Sequence, residues 1–435
     1  MPQDEELESL VRARRTAPDD AALALRHARL LSRAGDETAA ERLLVQALDA
    51  APGEPDLTAA LDRIGGGRAR GASWPGGAGN ARRSRRSAAT GPSRGEVVLR
   101  RQLQLDSPVR AFAMGRGGKG FVLTAAALYT IDEKGDTFPF VEVPRDHGLD
   151  GIVLLPAGRI LLTGRSHALV LVPRAGRAGE TEPAARLLDR VPHRFQYSSN
   201  FAAGASGYLY AAARHGRVDA FRLAVPAEAV PICYTEHDKT GLAIAPGGDL
   251  LVAIEGSQRK NRAGRLLRLD PRGKVRFEVV LKERSFGKSL YGPVVDEDGT
   301  VYLGFPGLEV FAHDAEGEQV FTAPYAGEPY ALAGERGELL VTREDRSLNV
   351  LDARTGARRA SWGSAFFGPP AVDARGWIYS RRGDDLVAWD TTLPPKPSFV
   401  VEGVAVRAWD WALAGESRIY AFPNLGSEAE FVVIE

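Results

Sequence analysis

A glycine followed by a short apolar run recurs eight times between Gly120 and Gly415, and this repeat constrains the fold of the 435-residue chain more than any other feature. The units begin Gly120-Phe121-Val122-Leu123, Gly158-Arg159-Ile160-Leu161, Gly207-Tyr208-Leu209-Tyr210, Gly248-Asp249-Leu250-Leu251, Gly299-Thr300-Val301-Tyr302, Gly337-Glu338-Leu339-Leu340, Gly376-Trp377-Ile378-Tyr379 and Gly415-Glu416-Ser417-Arg418. The intervals are 38, 49, 41, 51, 38, 39 and 39 residues. Short apolar runs bounded by turn residues are strand signals. A strand-type unit of about 40 residues cannot bury its faces alone, and stacking such units around an axis gives a β-propeller of four-stranded blades.

Order repeats inside each unit as well. Pro293-Val294-Val295 leads through the turn Asp296-Glu297-Asp298-Gly299 into Thr300–Gly304, then Leu308–Ala312, a turn ending at Gly317, and Gln319-Val320-Phe321. The unit from Pro370 reads the same way, with Ala371-Val372-Asp373, Gly376-Trp377-Ile378-Tyr379 and Leu386-Val387-Ala388-Trp389-Asp390. These lines resemble the repeats of quinoprotein-type (PQQ-like) propellers, in which an apolar-Asp-x-x-Gly-x-apolar-Tyr strand pair precedes a Leu-x-Ala-x-Asp strand. The resemblance covers residues 96–435. It implies architecture more than activity, because the motif encodes turns and inter-blade packing. The last unit offers a first strand near Val404–Trp411, a second near Arg418–Phe422 and a third at Phe431–Ile434, without an outer strand. Gly95-Glu96-Val97-Val98-Leu99-Arg100-Arg101 looks like the outer strands at Gly273–Glu278 and Gly317–Phe321. The expected fold is an all-β eight-bladed propeller, residues 96–435, closed by an N-terminal strand at 96–101 that removes two exposed sheet edges.

Residues 1–64 contain no aromatic side chain and carry apolar residues at helical spacing. Ala24, Ala28, Leu31, Ala40, Leu44, Ala47 and Pro52 fall at offsets resembling one tetratricopeptide-type helical hairpin over about Ala21–Glu54. Gly35 fits its turn, and helices near Glu5–Arg15 and Pro55–Ile64 would flank it. One repeat cannot form a long groove, so this module reads as a small bundle that packs on another subunit. Residues 65–95 hold Arg68, Arg70, Arg82, Arg83, Arg85, Arg86 and Arg94 among Gly, Ser, Ala and Pro, with no acid. Such composition predicts a flexible basic linker able to contact an acidic partner.

Chemistry is sparse. Lys+Arg and Asp+Glu balance at 56 each, so charge does not indicate nucleic acid. No apolar run approaches the ~18 residues of a membrane helix. The acidic N-terminus Met1-Pro2-Gln3-Asp4-Glu5-Glu6 reads as no secretory or lipoprotein signal, and a cytoplasmic setting is expected. The absent lipoprotein signal also counts against a likeness to outer-membrane assembly propellers. The single Cys233 excludes the adjacent cysteine pair common in quinone dehydrogenases, and no convergent Glu/Asn/Asp set is visible, so no cofactor is expected. His147, His167, His193, His215, His237 and His313 are scattered and read as surface or packing residues. Asp296-Glu297-Asp298-Gly299 lacks the downstream Glu of a calcium loop and sits where a hairpin must turn. Gly115–Gly120 matches a dinucleotide glycine pattern by letter but precedes a strand, not the helix that phosphate binding needs.

What remains is surface. Loops that join one blade to the next share a face with loops between second and third strands, and there the sequence places Arg194, Tyr197, Arg284, Lys288, Tyr291, Tyr330 and Trp409. Aromatic residues mixed with Arg are enriched at protein interfaces. The loop Glu255–Gly264 on the same face is long and carries Arg259, Lys260 and Arg262. These residues point to a non-catalytic protein-protein interaction scaffold in a bacterial cytoplasmic complex. Its partners would be proteins held by the propeller face and the helical module, with no membrane. By architecture it resembles components of ATPase-linked regulatory or defence systems, such as those with a MoxR-type ATPase and a von Willebrand A protein. The alternative is a small-ligand binder or a metal-dependent, lactonase-like hydrolase acting at the axial funnel.

Overall fold

The structure is a computed structural model that describes residues 6, 9–14, 17, 20–69, 91–115, 119–145, 148–155, 159–164, 167–173, 185–192, 201–203, 207–213, 217–222, 229–234, 240–254, 256, 263–281, 293–304, 309–324, 328–333, 337–342, 347–363, 367–373, 375–390, 396–404, 411–414, 417–423 and 429–435. Eight four-stranded antiparallel sheets follow one another along the chain. Blades 1 to 7 span 111–142, 149–192, 201–234, 240–280, 294–323, 328–362 and 367–401. Blade 8 combines Trp411–Ala414, Arg418–Ala421 and Glu430–Ile434 with Val97–Gln102 as its fourth strand. The first strand of blade 1 touches those of blades 2 and 8, and the first strands of blades 3 to 7 touch in series, which is the geometry of sheets arranged radially about an axis.

Burial follows position in the blade. Thr240–Ile244 and Leu250–Ile254, the inner pair of blade 4, are buried at every residue, whereas its fourth strand Val275–Val280 is exposed or half-buried throughout. Inner strands have a blade on each face, so both side-chain sets must be apolar, and outer strands need only one. Leu242, Leu250, Val252 and Ile254 pack toward blade 3, while Ala243, Leu251 and Ala253 pack toward blade 5. This alternation is the period-2 geometry of a strand.

Val97–Gln102 pairs antiparallel with Glu430–Ile434, setting Leu99 against Val433 and Arg101 against Phe431. Glu96 and Glu435 extend the ladder with two reciprocal backbone bonds of 2.9 Å. The blade's first strand lies at Trp411–Ala414, later than the expected 404–411, because the buried Ala412 and Leu413 pair with Tyr420 and Ile419. Just before that second strand Ser417 stands in the left-handed region at φ 60°. A short polar side chain tolerates this region better than a branched one.

At the N-terminus α1 (Ala21–Arg33), α2 (Glu37–Ala50) and α3 (Pro55–Ala69) form a compact unit, and residues 9–14 are also helical. Asp20 caps α1 by accepting from Leu23 N at 3.0 Å, and Asp36 caps α2 by accepting from Ala39 N at 3.0 Å. Ala24, Ala28, Ala40, Leu44 and Ala47 are buried in the seam. The structure departs from the expected linker 65–95 at both ends. Helix α3 continues through residues 65–69, since propagation adds one hydrogen bond per residue fixed. Residues 91–95 pack on blade 7. The helical unit, expected against another subunit, rests on this chain's own propeller.

Candidate functional site

Arg259, Lys260, Arg262, Arg194, Tyr197, Arg284, Lys288, Tyr291 and Trp409 lie outside the described residues. Tyr330 falls in the first strand of blade 6, Glu328–Ala333, its side chain outside the description. The strand order does fix which face their loops leave. Connections between blades, and between second and third strands, emerge on one face of the disc; the tight turns between strands 1 and 2 and strands 3 and 4 form the other.

The turn face is where the described contacts concentrate. Asp49 at the end of α2 makes an ion pair with Arg159, which precedes the second strand of blade 2 and is 8% exposed. A Cβ on Gly207, in the first turn of blade 3, would lie 3.4 Å from the Leu48 carbonyl oxygen. Gly53 lies against Pro271 and Tyr208, and Glu54 is 3.8 Å from Arg272, so the helical unit spans blades 2, 3 and 4.

Neighbouring blades are hooked together on the same face. Tyr210 of blade 3 donates to the Pro271 carbonyl in the second hairpin turn of blade 4, at 3.3 Å. Tyr302 of blade 5 donates to the Ala353 carbonyl in the corresponding turn of blade 6, at 3.1 Å. Arg268 of blade 4 reaches the Ala315 carbonyl of blade 5 at 2.8 Å while its Nε donates to Asp249 at 2.8 Å. Burial, then nearby carboxylates, pushes the Tyr302 hydroxyl above its ordinary range, keeping it protonated as a donor.

At blade 7 the hook meets residues 91–92. Asp373 is fully buried, and its Oδ1 accepts from the backbone N–H groups of Arg375 and Trp377 at 2.9 and 2.8 Å. Its Oδ2 accepts from Gly91 N at 2.9 Å and from Arg375 Nε at 3.0 Å. Arg375 Nη2 donates to the carbonyls of Gly91 and Pro92 at 2.7 and 3.1 Å, and its guanidinium lies 4.1 Å from the Trp377 ring centroid. The Tyr379 hydroxyl lies 3.4 Å from the Pro92 carbonyl and 3.2 Å from Asp373 Oδ2. Burial, followed by the Asp373 charge, raises its pKa. The sequence reading treated Asp373, Gly376 and Tyr379 as turn and packing residues and missed this cluster. The signal was Arg375, a cation inside a turn motif that carries Asp298 at the matching place in blade 5.

Among the described residues no three His, Cys, Asp or Glu side chains gather as a metal site. Burial pushes the Cys233 thiol up to about 11, which disfavours the reactive thiolate. His313 is buried in blade 5 with Nδ1 3.2 Å from the Gly317 carbonyl, and desolvation lowers its pKa. Cys233 is half-buried against the core shared by blades 3 and 4.

No family model matches the chain, and no curated protein matches it. Solved structures share the fold. BamB from Moraxella catarrhalis aligns with TM-score 0.51 and 12% identity, covering 78% of this chain and 99% of that one. Sqt1 from Chaetomium thermophilum, bound to the N-terminus of the ribosomal protein L10, aligns with TM-score 0.53 and 15% identity over 76% of this chain and 92% of that one. Sqt1 from Saccharomyces cerevisiae aligns with TM-score 0.59 and 9% identity over 78% and 98%. The chain is similar to all three in its propeller fold.

Proposed function

We propose that this protein is a non-catalytic scaffold whose protein partner docks on the loop face of the disc, opposite the helical unit. One observation carries the reading. Among the described residues the turn face is covered by the chain's own helices over blades 2 to 4 and by residues 91–95 at blade 7, which favours the loop face for a partner. The Sqt1 structure, bound to the N-terminus of the ribosomal protein L10, is a precedent for a protein of similar fold that receives the end of a partner chain. The finer parts of the proposal rest on sequence resemblance. They are quinoprotein-type repeats, tetratricopeptide-type ancestry for the hairpin, and membership of a bacterial cytoplasmic complex linked to an ATPase.

The basic loop Glu255–Gly264 is the contact we would test first. Arg259, Lys260 and Arg262 replaced together by Ala should weaken partner capture while the melting temperature stays nearly constant, since exposed loop substitutions alter stability by about 0.5 kcal/mol or less. Positive charge in this loop accelerates association with an acidic surface, so added salt should slow capture by the wild type more than by the triple variant. Identical salt dependence removes the loop from the interface. A stoichiometric metal ion in the purified protein, lost with an axial carboxylate or histidine, would support the hydrolase alternative instead.

A further inference from the structure

We infer that blade 7 carries a peptide-recognition site selective for an extended Gly-Pro segment, and that the chain's own Gly91-Pro92 fills it. The site reads backbone. Asp373 Oδ2 supplies the acceptor for the Gly91 N–H at 2.9 Å, and Arg375 Nη2 supplies donors to two successive carbonyls at 2.7 and 3.1 Å. The Tyr379 hydroxyl, 3.4 Å from the second carbonyl and 3.2 Å from Asp373 Oδ2, shares its one proton between them. Three donors of blade 7 itself, Arg375 N, Trp377 N and Arg375 Nε, hold the fully buried Asp373 carboxylate, with the Tyr379 hydroxyl 3.2 Å away, so the acceptor is a built element before the segment arrives.

Selectivity comes from space and from donor count. A Cβ at Gly91 would lie 2.0 Å from the Tyr379 hydroxyl oxygen and 2.5 Å from its Cζ, so every other residue is excluded unless the ring moves. Pro at the next position brings no N–H that would need a partner in a buried place, and Pro92 is buried. Beyond it, Gly95 stands at φ +69° with Phe399 Cδ2 only 2.2 Å from where a Cβ would be. Glycine is required there twice over, by the left-handed backbone and by the ring.

The equivalent hooks at Tyr210 and Tyr302 take their carbonyls from a hairpin turn of the next blade. Blade 8 has no such turn, because its third and fourth strands come from opposite ends of the chain. Asp373 and Arg375 add charge-assisted contacts at this seam, where the acceptor must be captured from a segment more than 280 residues away in sequence. A site of this kind binds its ligand in trans when the resident segment is kept out.

Full-length Gly91→Val tests this, since the added side chain has no room under Tyr379 while every residue of the site is retained. A fluorescent peptide of residues 88–96 should bind the folded variant and show at least tenfold weaker binding to the wild type, whose site is filled. A peptide with Val in place of the glycine should bind neither, and Arg375→Ala in the variant should weaken binding more than tenfold. Failure of the peptide to bind the folded variant, or equal binding of the Val peptide, overturns the proposal. So does dimerisation of the wild type through exchanged N-terminal segments, which would assign the resident peptide to a second copy. Should Gly91→Val not fold, native-state hydrogen exchange decides on the wild type. The Gly91 amide should exchange at least a hundredfold more slowly than those of Ser93 and Arg94, and Arg375→Ala should cut that protection at least tenfold; an unprotected Gly91 overturns the site.

Discussion

The seam between blades 5 and 6 and the seam between blades 7 and 8 make the same contacts by different means. At the first, Tyr302 hooks the Ala353 carbonyl, and Gly356 sits under Phe321, both acceptor and glycine belonging to one covalent hairpin turn. At the second, Tyr379 meets the Pro92 carbonyl, and Gly95 sits under Phe399, on a segment that enters blade 8 from the other end of the chain. A hairpin brings its carbonyl into place at almost no loop-closure cost, whereas closing the ring means joining distant parts of the chain. The extra bonds from Asp373 and Arg375 at the closing seam offset that cost. A propeller's repeats are therefore equivalent in geometry but not in how each seam is held.

Truncation separates the two most sharply. Removing residues 1–104 deletes the strand paired with Glu430–Ile434 and exposes a buried apolar edge, a loss of about 5 kcal/mol from the ladder bonds alone. Removing 1–94 keeps that strand but uncovers Asp373 and Tyr379 and takes away the helical unit, which should cost about 1–3 kcal/mol. Thermal or denaturant unfolding should thus rank full length above 1–94 deleted, and that above 1–104 deleted. Equal stability of the two truncations would mean that Val97–Gln102 contributes nothing to closure.

Hydroxyl deletion gives a smaller and reversed contrast. In Tyr302→Phe the Ala353 carbonyl loses its tyrosine donor inside a buried seam, a loss of about 1–1.5 kcal/mol. In Tyr379→Phe the Pro92 carbonyl keeps Arg375 Nη2, and Asp373 keeps Gly91 N and Arg375, so about 0.5 kcal/mol is expected. Chemical denaturation of the two variants measures the difference. A larger loss at Tyr379 would show that the arginine does not hold the segment.

The same contrast explains what could be read from residues alone. Turn glycines and apolar alternation are local, so the eight units stood out, and Gly95-Glu96-Val97 matched Gly273-Lys274-Val275 and Gly317-Glu318-Gln319 letter for role. Blade 8 was harder, because Ser417 does a glycine's work and shifts the apparent repeat by two residues. Residues 91–92 were not legible as a bound segment, since composition treats every residue of a Gly- and Arg-rich stretch alike while their partners lie at 373–379. Leu48, Asp49 and Gly53 read as seam, helix end and turn, and their second role against Gly207, Arg159 and Pro271 needed the fold. The candidate partner residues were chosen by chemistry and by face. Face follows from strand order, whereas their mutual arrangement depends on loops that strand periodicity does not encode.

Acid should probe the hairpin seam most gently of all. Asp352 opens the turn that presents Ala353, accepting from Arg354 N at 3.0 Å and Thr355 N at 2.9 Å and pairing with Arg359. The Arg359 hydrogen bond, with the backbone donors behind it, holds its carboxyl down at about 2. A carboxylate whose folded pKa lies below its unfolded value near 3.9 contributes stability above that value and loses it as pH falls toward the folded one. The window is therefore about pH 4 down to pH 2. Because the pair is partly open to solvent, which screens it, the contribution should stay under about 1 kcal/mol. Arg359→Ala removes the main cause of the shift, so the carboxyl should titrate nearer its ordinary value and the stability difference from wild type should vanish below pH 2. An NMR titration of the Asp352 carboxyl reads this directly, and titration near 4 in the wild type would mean that Arg359 does not hold the turn, leaving its backbone donors and Tyr302 to fix Ala353.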